Sequence, residues 1–147
     1  MAIEKTLFIV KPDGVKRYLS NLLLSKITEA GFKILIRRRI VITREQAQSL
    51  YSIHKGKPFY EGLINFITSG ASIITVIEGD NAIEKIRAMM GPTDPRQAPA
   101  GTLRGDNIGE PLFTGEGILM NICHGSDSPE NAKKEIAVFF NEADLIK

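Results

Sequence analysis

The run ASIITVIEGD at residues 71–80 is uncharged from Ala71 to Ile77 and rich in β-branched side chains, which makes it the clearest buried strand in the chain. The elements around it have to cover it. Thr6 to Val10 is a second short apolar run, stopped by the turn residues Lys11-Pro12-Asp13-Gly14. From Ser20, Leu22, Leu23, Ile27 and Ala30 recur at helical spacing, and Gly31 follows where a left-handed cap would sit. Phe32 to Ile42 reads as a strand. Thr43 and Gln46 then form a capping box for a helix carrying Ala47, Leu50 and Tyr51, and a further helical piece follows Pro58 and ends near Ser69-Gly70. After the 71–77 strand, Asp80 is expected to cap a helix with Ile83, Ile86, Met89 and Met90 on one side, ended by Gly91. Gly117 to Ile122 supplies a fourth strand. Ser128 as cap and Pro129 at the first helical position open a last helix whose Ala132, Ile136, Phe139 and Phe140 face the core. The order β-α-β-α-α-β-α-β-α contains two βαβ units. It predicts an α+β, ferredoxin-like βαββαβ sandwich: a four-stranded antiparallel sheet with helices on one face. No repeat or linker divides residues 1–147, so one domain is expected.

Composition limits the function classes. At 147 residues, 43% hydrophobic and 24% charged, the chain can bury a core without disulfides or a structural metal. Nineteen Lys and Arg against 17 Asp and Glu give a net charge of only +2, which does not argue for a nucleic-acid partner. The basic cluster Arg37-Arg38-Arg39 lies in a strand and reads as the solvated edge of a sheet. Cys123 is the only cysteine, and the N-terminal residues hold an acid and an early Pro rather than a signal peptide. Both features predict a reducing, cytoplasmic location. No apolar run approaches the ~18 residues of a membrane span, so no membrane partner is expected.

The long stretch GPTDPRQAPAGTLRGDNIGEPLFTGEG holds four prolines and six glycines with little periodicity, and a loop of that length in a small domain is usually functional. There is no G-x-x-x-x-G-K-[ST] loop, no C-x-x-C and no H-E-x-x-H, and Gly115-Glu116-Gly117 lacks the third Gly of a dinucleotide fingerprint. The informative segment is NICHGSDS, residues 121–128. It puts His124 at the end of an apolar strand, before a Gly turn into a helix, where a ligand can reach it. A neutral imidazole is a competent nucleophile at neutral pH and suits phosphoryl transfer. Glu135 or Ser126 could hold the ring in one orientation, although a strand-end His taken alone is also consistent with a structural role. Lys11, Arg87 and Arg104 each stand beside a corner rich in Gly, Pro or Thr (KPDG, RAMMGPTD, GTLRGD), where backbone donors are exposed as well.

These residues carry a resemblance. N-x-x-H-G-S-D-S as Asn121 to Ser128, with TLFIVKPDGV, YSIHKGKPFYEGL, GPTDP and GTLRGD in the same order, resembles the nucleoside diphosphate kinases over nearly the whole chain. The resemblance implies transfer of the γ-phosphoryl group of a nucleoside triphosphate, typically ATP, to His124 and then to a nucleoside diphosphate. That is a ping-pong route with broad base tolerance. It implies that Glu135 and Ser126 orient His124, that Tyr51 lies close to it, and that Lys11 and Asn121 reach the ribose hydroxyls and the transferring phosphate. Arg87, Thr93 and Arg104 would hold the α- and β-phosphates, Phe59 would stack on the base, and His54 would lie near phosphate. Mg²⁺ would ride on the nucleotide phosphates with no cage of protein side chains, and the assembly would be a homo-oligomer, a hexamer or a tetramer. Three features depart from the family pattern: a longer 107–120 segment, Met120 in place of a basic residue, and Tyr18 in place of Gly. A nucleotide-binding subunit without turnover stays open as an alternative. An RNA-binding module has only the shared βαββαβ topology behind it.

Overall fold

β2 (Lys33–Ile40), β3 (Ser72–Asp80), β1 (Ile3–Val10) and β4 (Cys123–Gly125) lie side by side in that order, each neighbouring pair antiparallel, in the computed structural model, which describes residues 2–145. The expected domain ends at 1, 146 and 147 fall outside the described residues. The period of a strand sends alternate side chains to opposite faces. On one face, Phe8 and Val10 of β1 and Ile73 and Ile77 of β3 pack against Leu23, Leu24 and Ile27 of α2 (Ser20–Glu29) and Ile86 and Met90 of α5 (Ala82–Met90). On the other, Leu7, Ile9, Ile74 and Val76 pack against α3 (Arg44–Leu50), α4 (Tyr60–Ile67) and α7 (Pro129–Phe139). The two crossover helices share one face, as the ferredoxin-like pattern requires. The opposite face is covered as well, because β1 and β3 are apolar on both sides. Each large aliphatic or aromatic side chain buried in these layers contributes about 1.5–3 kcal/mol.

Local signals place most element ends. Thr43 Oγ1 accepts from Gln46 N–H at 3.1 Å while Gln46 Oε1 accepts from Thr43 N–H at 3.0 Å, so the capping box of α3 is closed from both sides. Ser128 caps α7 through Asn131 N–H, with Pro129 in its first turn, and Gly31 has φ +99° just past α2.

Four expectations need correction. Leu22 is 44% exposed and Ala30 is exposed as well, because the buried face of α2 is centred on Leu23, Leu24 and Ile27. Asp80 closes β3 instead of capping α5. Its Oδ1 accepts from Ala2 N–H at 3.0 Å, and Asn81, at φ 49°, turns the chain into the helix. The fourth strand is Cys123–Gly125, not Gly117–Ile122: Gly117 at φ 82° and Ile122 at φ 60° interrupt the extended backbone, and the apolar residues between them fold into a hairpin through a Phe113–Leu119 bridge. The long loop also contains the short helix α6 (Leu103–Asp106).

Tyr18 follows α1 (Pro12–Lys16) at φ 59° and is 93% exposed. A left-handed turn is needed at that point, and a side chain there costs about 1–2 kcal/mol that Gly would not. Arg37, Arg38 and Arg39 line the exposed edge strand β2, with Arg38 paired to Asp144 at 3.1 Å in α8 (Glu142–Leu145).

Candidate active site

His124 sits in the edge strand β4, opposite Ile9 of the central strand β1. Its Nε2 lies 2.8 Å from Glu135 Oε1, one helical element later on α7. A carboxylate only accepts, so Nε2 carries the proton and Nδ1 keeps a free lone pair. Ser126 Oγ donates to the same Glu135 oxygen at 2.7 Å and accepts from Leu7 N–H at 3.2 Å, which ties the dyad to the sheet. The two candidate orienting residues therefore act in series, Ser126 on Glu135 and Glu135 on the ring. His124 and Glu135 retain 20% and 16% exposure of their side chains, enough for the ring to meet a ligand.

The KPDG turn closes on the segment before His124. Lys11 N–H donates to Ile122 C=O at 2.8 Å, and Asp13 Oδ2 accepts from Ile122 N–H at 3.0 Å. Ile122 is β-branched at φ 60°, a conformation costing about 1–3 kcal/mol that persists only where its surroundings hold it; here both of its backbone polar groups are held. A Cβ on Gly14 would stand 3.0 Å from Ile122 C=O and 2.9 Å from Val10 Cγ1, so the close approach requires Gly at 14. The bend at Ile122 presents Asn121 to the cleft. Its Oδ1 accepts from Lys11 Nζ at 2.9 Å and its Nδ2 donates to Thr93 C=O at 2.9 Å. Burial, reinforced by Arg104, brings the Lys11 ammonium down to about 8.

Arg104 is almost fully buried, and three of its five N–H donors bind backbone carbonyls. Nε donates to Asn121 C=O at 3.2 Å, Nη1 to Gly91 C=O at 3.0 Å and Nη2 to Cys123 C=O at 2.8 Å. Three chain segments that the sequence separates are joined by one side chain. Arg87 is exposed late in α5, with Nη1 3.5 Å from Gly125 C=O. Cys123 is buried and its thiol is pushed up to about 11 by that burial, so it offers no thiolate beside His124.

Tyr51 is buried at the end of α3. Burial first, then the Glu135 and Asp13 carboxylates, raise its phenol well above the ordinary value. Phe59 is 42% exposed at the start of α4, so it is a surface ring and not a core aromatic. His54 lies beside it, ring centroids 5.2 Å apart, with Lys57 Nζ 3.4 Å from Nδ1; partial burial and then the Lys57 charge lower its ring from the ordinary value. The structure joins His124, Glu135 and Ser126 in one hydrogen-bonded chain and Lys11, Asn121, Thr93 and Arg104 in a second, with Arg87 beside Gly125 C=O, and sets the His54 ring near both Phe59 and Tyr51, at 5.2 and 6.3 Å between centroids.

Sequence reasoning misses Asp13 and the carbonyls of Gly91, Asn121 and Cys123. The Asp of KPDG beside a Pro is a readable sign of a side chain bonded to backbone, but its partner is 109 residues away. Asp13 lines a cavity of about 570 Å³ together with Tyr18, Arg39 and Met120, and Arg87 lines one of about 360 Å³. Among the described residues no three His, Cys, Asp or Glu groups converge as a metal cage, and the charge around His124 is mainly cationic. That donor set fits a metal carried by phosphate oxygens.

The nucleoside diphosphate kinase family model matches residues 4–145. A protein from Wolbachia pipientis subsp. Culex pipiens named nucleoside diphosphate kinase is 47% identical over 146 residues, spanning 99% of this chain and 100% of its own. Among solved structures, the Aquifex aeolicus nucleoside diphosphate kinase superposes with a TM-score of 0.86 at 33% identity, covering 99% of this chain and 100% of that one. The Borrelia burgdorferi enzyme, solved as a transition-state mimic with bound vanadate and ADP, superposes with a TM-score of 0.88 at 28% identity, covering 99% and 91%.

Proposed function

Since this chain belongs to the nucleoside diphosphate kinase family, we propose that it moves the γ-phosphoryl group of a nucleoside triphosphate to a nucleoside diphosphate by a ping-pong route through phospho-His124. The observation that carries the reading is the His124–Glu135–Ser126 chain, which occupies Nε2 and leaves Nδ1 as the nucleophilic nitrogen. Nδ1 forms a bond to the γ-phosphorus as the bond to the β–γ bridging oxygen breaks, and the first nucleoside diphosphate leaves. A terminal phosphate oxygen of the second diphosphate then attacks, and the P–N bond breaks.

Glu135 stabilises the imidazolium that each half-reaction develops, as the acid of a triad does. Lys11, Arg87 and Arg104 neutralise charge on the phosphate oxygens, which is most of what a loose phosphoryl transition state requires. Thr93 and Asn121 add polar contacts to phosphate and ribose, and Tyr51 lines the approach to His124. Phe59 stacks on the base with His54 behind it, which tolerates any base because every base has a flat face. Mg²⁺, when bound, adds its charge on the nucleotide phosphates. In this reading residues 1–147 work as one unit within a homo-oligomer, a hexamer or a tetramer.

Initial rates at several fixed concentrations of the second nucleotide test the route. Parallel double-reciprocal lines are expected; lines that intersect would require both nucleotides to be bound at once and would remove the phosphohistidine from the path.

A further inference from the structure

Asp13 lies in the first turn of α1, two residues after Lys11, and its two carboxylate oxygens have different surroundings. Oδ2 accepts from Ile122 N–H at 3.0 Å, across 109 residues of chain. Oδ1 is buried and has no hydrogen-bond partner among the described residues. An acceptor buried without a partner is costly and rare in native folds. The bond to Ile122 does not require that cost, because a neutral acceptor would serve the same N–H. A carboxylate at this place calls for a second reason.

The bond acts on the residue that joins two parts of the site. Ile122, left-handed at φ 60°, is preceded by Asn121 and followed by Cys123 and His124 of β4. Asn121 Oδ1 accepts from Lys11 Nζ at 2.9 Å, and Asn121 C=O accepts from Arg104 Nε at 3.2 Å. Lys11 N–H grips the other polar group of Ile122, its carbonyl, at 2.8 Å. The turn has little slack, since even a Cβ on Gly14 would stand 3.0 Å from that carbonyl oxygen. A strained residue held at both backbone groups passes its position on to its neighbours.

The charge acts on the Lys11 ammonium. Around that ammonium stand Arg104 from α6, Cys123 from β4 and Asp13 from α1. Arg104 opposes it, and Cys123, its thiol pushed up to about 11, is neutral near pH 7. The Tyr51 phenol, which also feels the Asp13 charge, is raised by burial and stays neutral too. Asp13 is therefore the anion that offsets Arg104 and burial at Lys11.

We propose that Asp13 is a positioning residue with two separable actions: its Oδ2 fixes the bend that sets Asn121 and His124 in register, and its buried charge is the counter-ion of the Lys11 ammonium. The inference rests on the proposed function, because it takes His124 as the nucleophile and Lys11 as a phosphate ligand.

Three variants separate the actions. Asp13→Asn keeps an acceptor for Ile122 N–H and removes the charge. Its kcat/KM should stay within about twofold of wild type at pH 6 and fall about fivefold at pH 8, because the alkaline fall moves to lower pH. Asp13→Glu keeps the charge but, with a longer stem, misplaces the acceptor. Its alkaline fall should stay where wild type has it, near pH 8, while phospho-His124 formation slows by about 30-fold or more at every pH, the scale of a misaligned reacting group. Asp13→Ala should show both defects. A thermal melt of each variant at both pH values accompanies the kinetics. Equal losses at pH 6 and pH 8 in Asp13→Asn would overturn the counter-ion, and wild-type rates at pH 6 in Asp13→Glu or Asp13→Ala would overturn the positioning. Losses that follow melting temperature alike in all three would overturn both. A wild-type chain that exchanges no phosphate between nucleotides would instead overturn the functional reading, and this inference with it.

Discussion

Replacing His124 with Gln is expected to lower phosphate exchange between nucleotides on the order of 10⁵-fold or more, the scale seen when a covalent nucleophile is removed from an otherwise intact site. Gln keeps a polar group of similar reach for Glu135 but has no basic lone pair where Nδ1 stands. The fold should hold. The His124 side chain is 20% exposed and Gln keeps a polar group for Glu135, so the melting temperature should move little while turnover disappears. A coupled assay and a thermal melt on the same preparation check both halves, and exchange at the wild-type rate in this variant would remove His124 from the mechanism.

Lys11→Ala should cost about 2–4 kcal/mol of transition-state stabilisation, or roughly 30- to 900-fold in kcat/KM. The ammonium is buried at the end of β1, held by Asn121 and close to Arg104, so no solvent charge can replace it. Lys11→Arg should not rescue, because a planar fork does not fit a buried site made for a single ammonium beside another guanidinium.

The pH profile gives an independent reading of the same residue. With Lys11 at about 8 in the free protein, the charged form is lost as pH rises through that value, and kcat/KM should fall above it. Unfolding cannot account for such a fall. A lysine lowered from 10.5 is neutral in the folded chain between about 8 and 10.5 and protonated in the unfolded one, so the unfolded state binds more protons and the Lys11 contribution to stability rises with pH across that window. Bound phosphates raise Lys11 again, so kcat should titrate at higher pH than kcat/KM. A kcat/KM profile that stays flat to pH 9.5 would contradict this placement of the charge.

What could be read from residue order alone divides along the distance over which each contact acts. The Thr43–Gln46 box, the Ser128 cap and Gly31 are bonds or turns within four residues, and all three form where the sequence places them. The Ile118–Ile122 run misleads because a short apolar stretch fits a strand or a hairpin arm equally well. Its actual form is decided by Gly62, which admits Ile118, and by Asp13, which bends Ile122. Neither is a neighbour in sequence. The site shows the same division. The ring, its acid and the cations were readable as residue types in a motif. The series order of Ser126 and Glu135, the three carbonyls gathered by Arg104 and the pairing of His54 with Phe59 depend on which strands meet, and residue order alone does not carry that.

The central claim is a covalent phosphate on His124 that one nucleotide deposits and another removes. Intact mass of the wild-type chain after mixing with ATP and Mg²⁺, then after a chase with GDP, tests it most directly. The account predicts a single acid-labile phosphoryl adduct, absent in His124→Gln and lost within the chase as GTP appears. ATP that binds without leaving an adduct, or an adduct that GDP does not discharge, would contradict it.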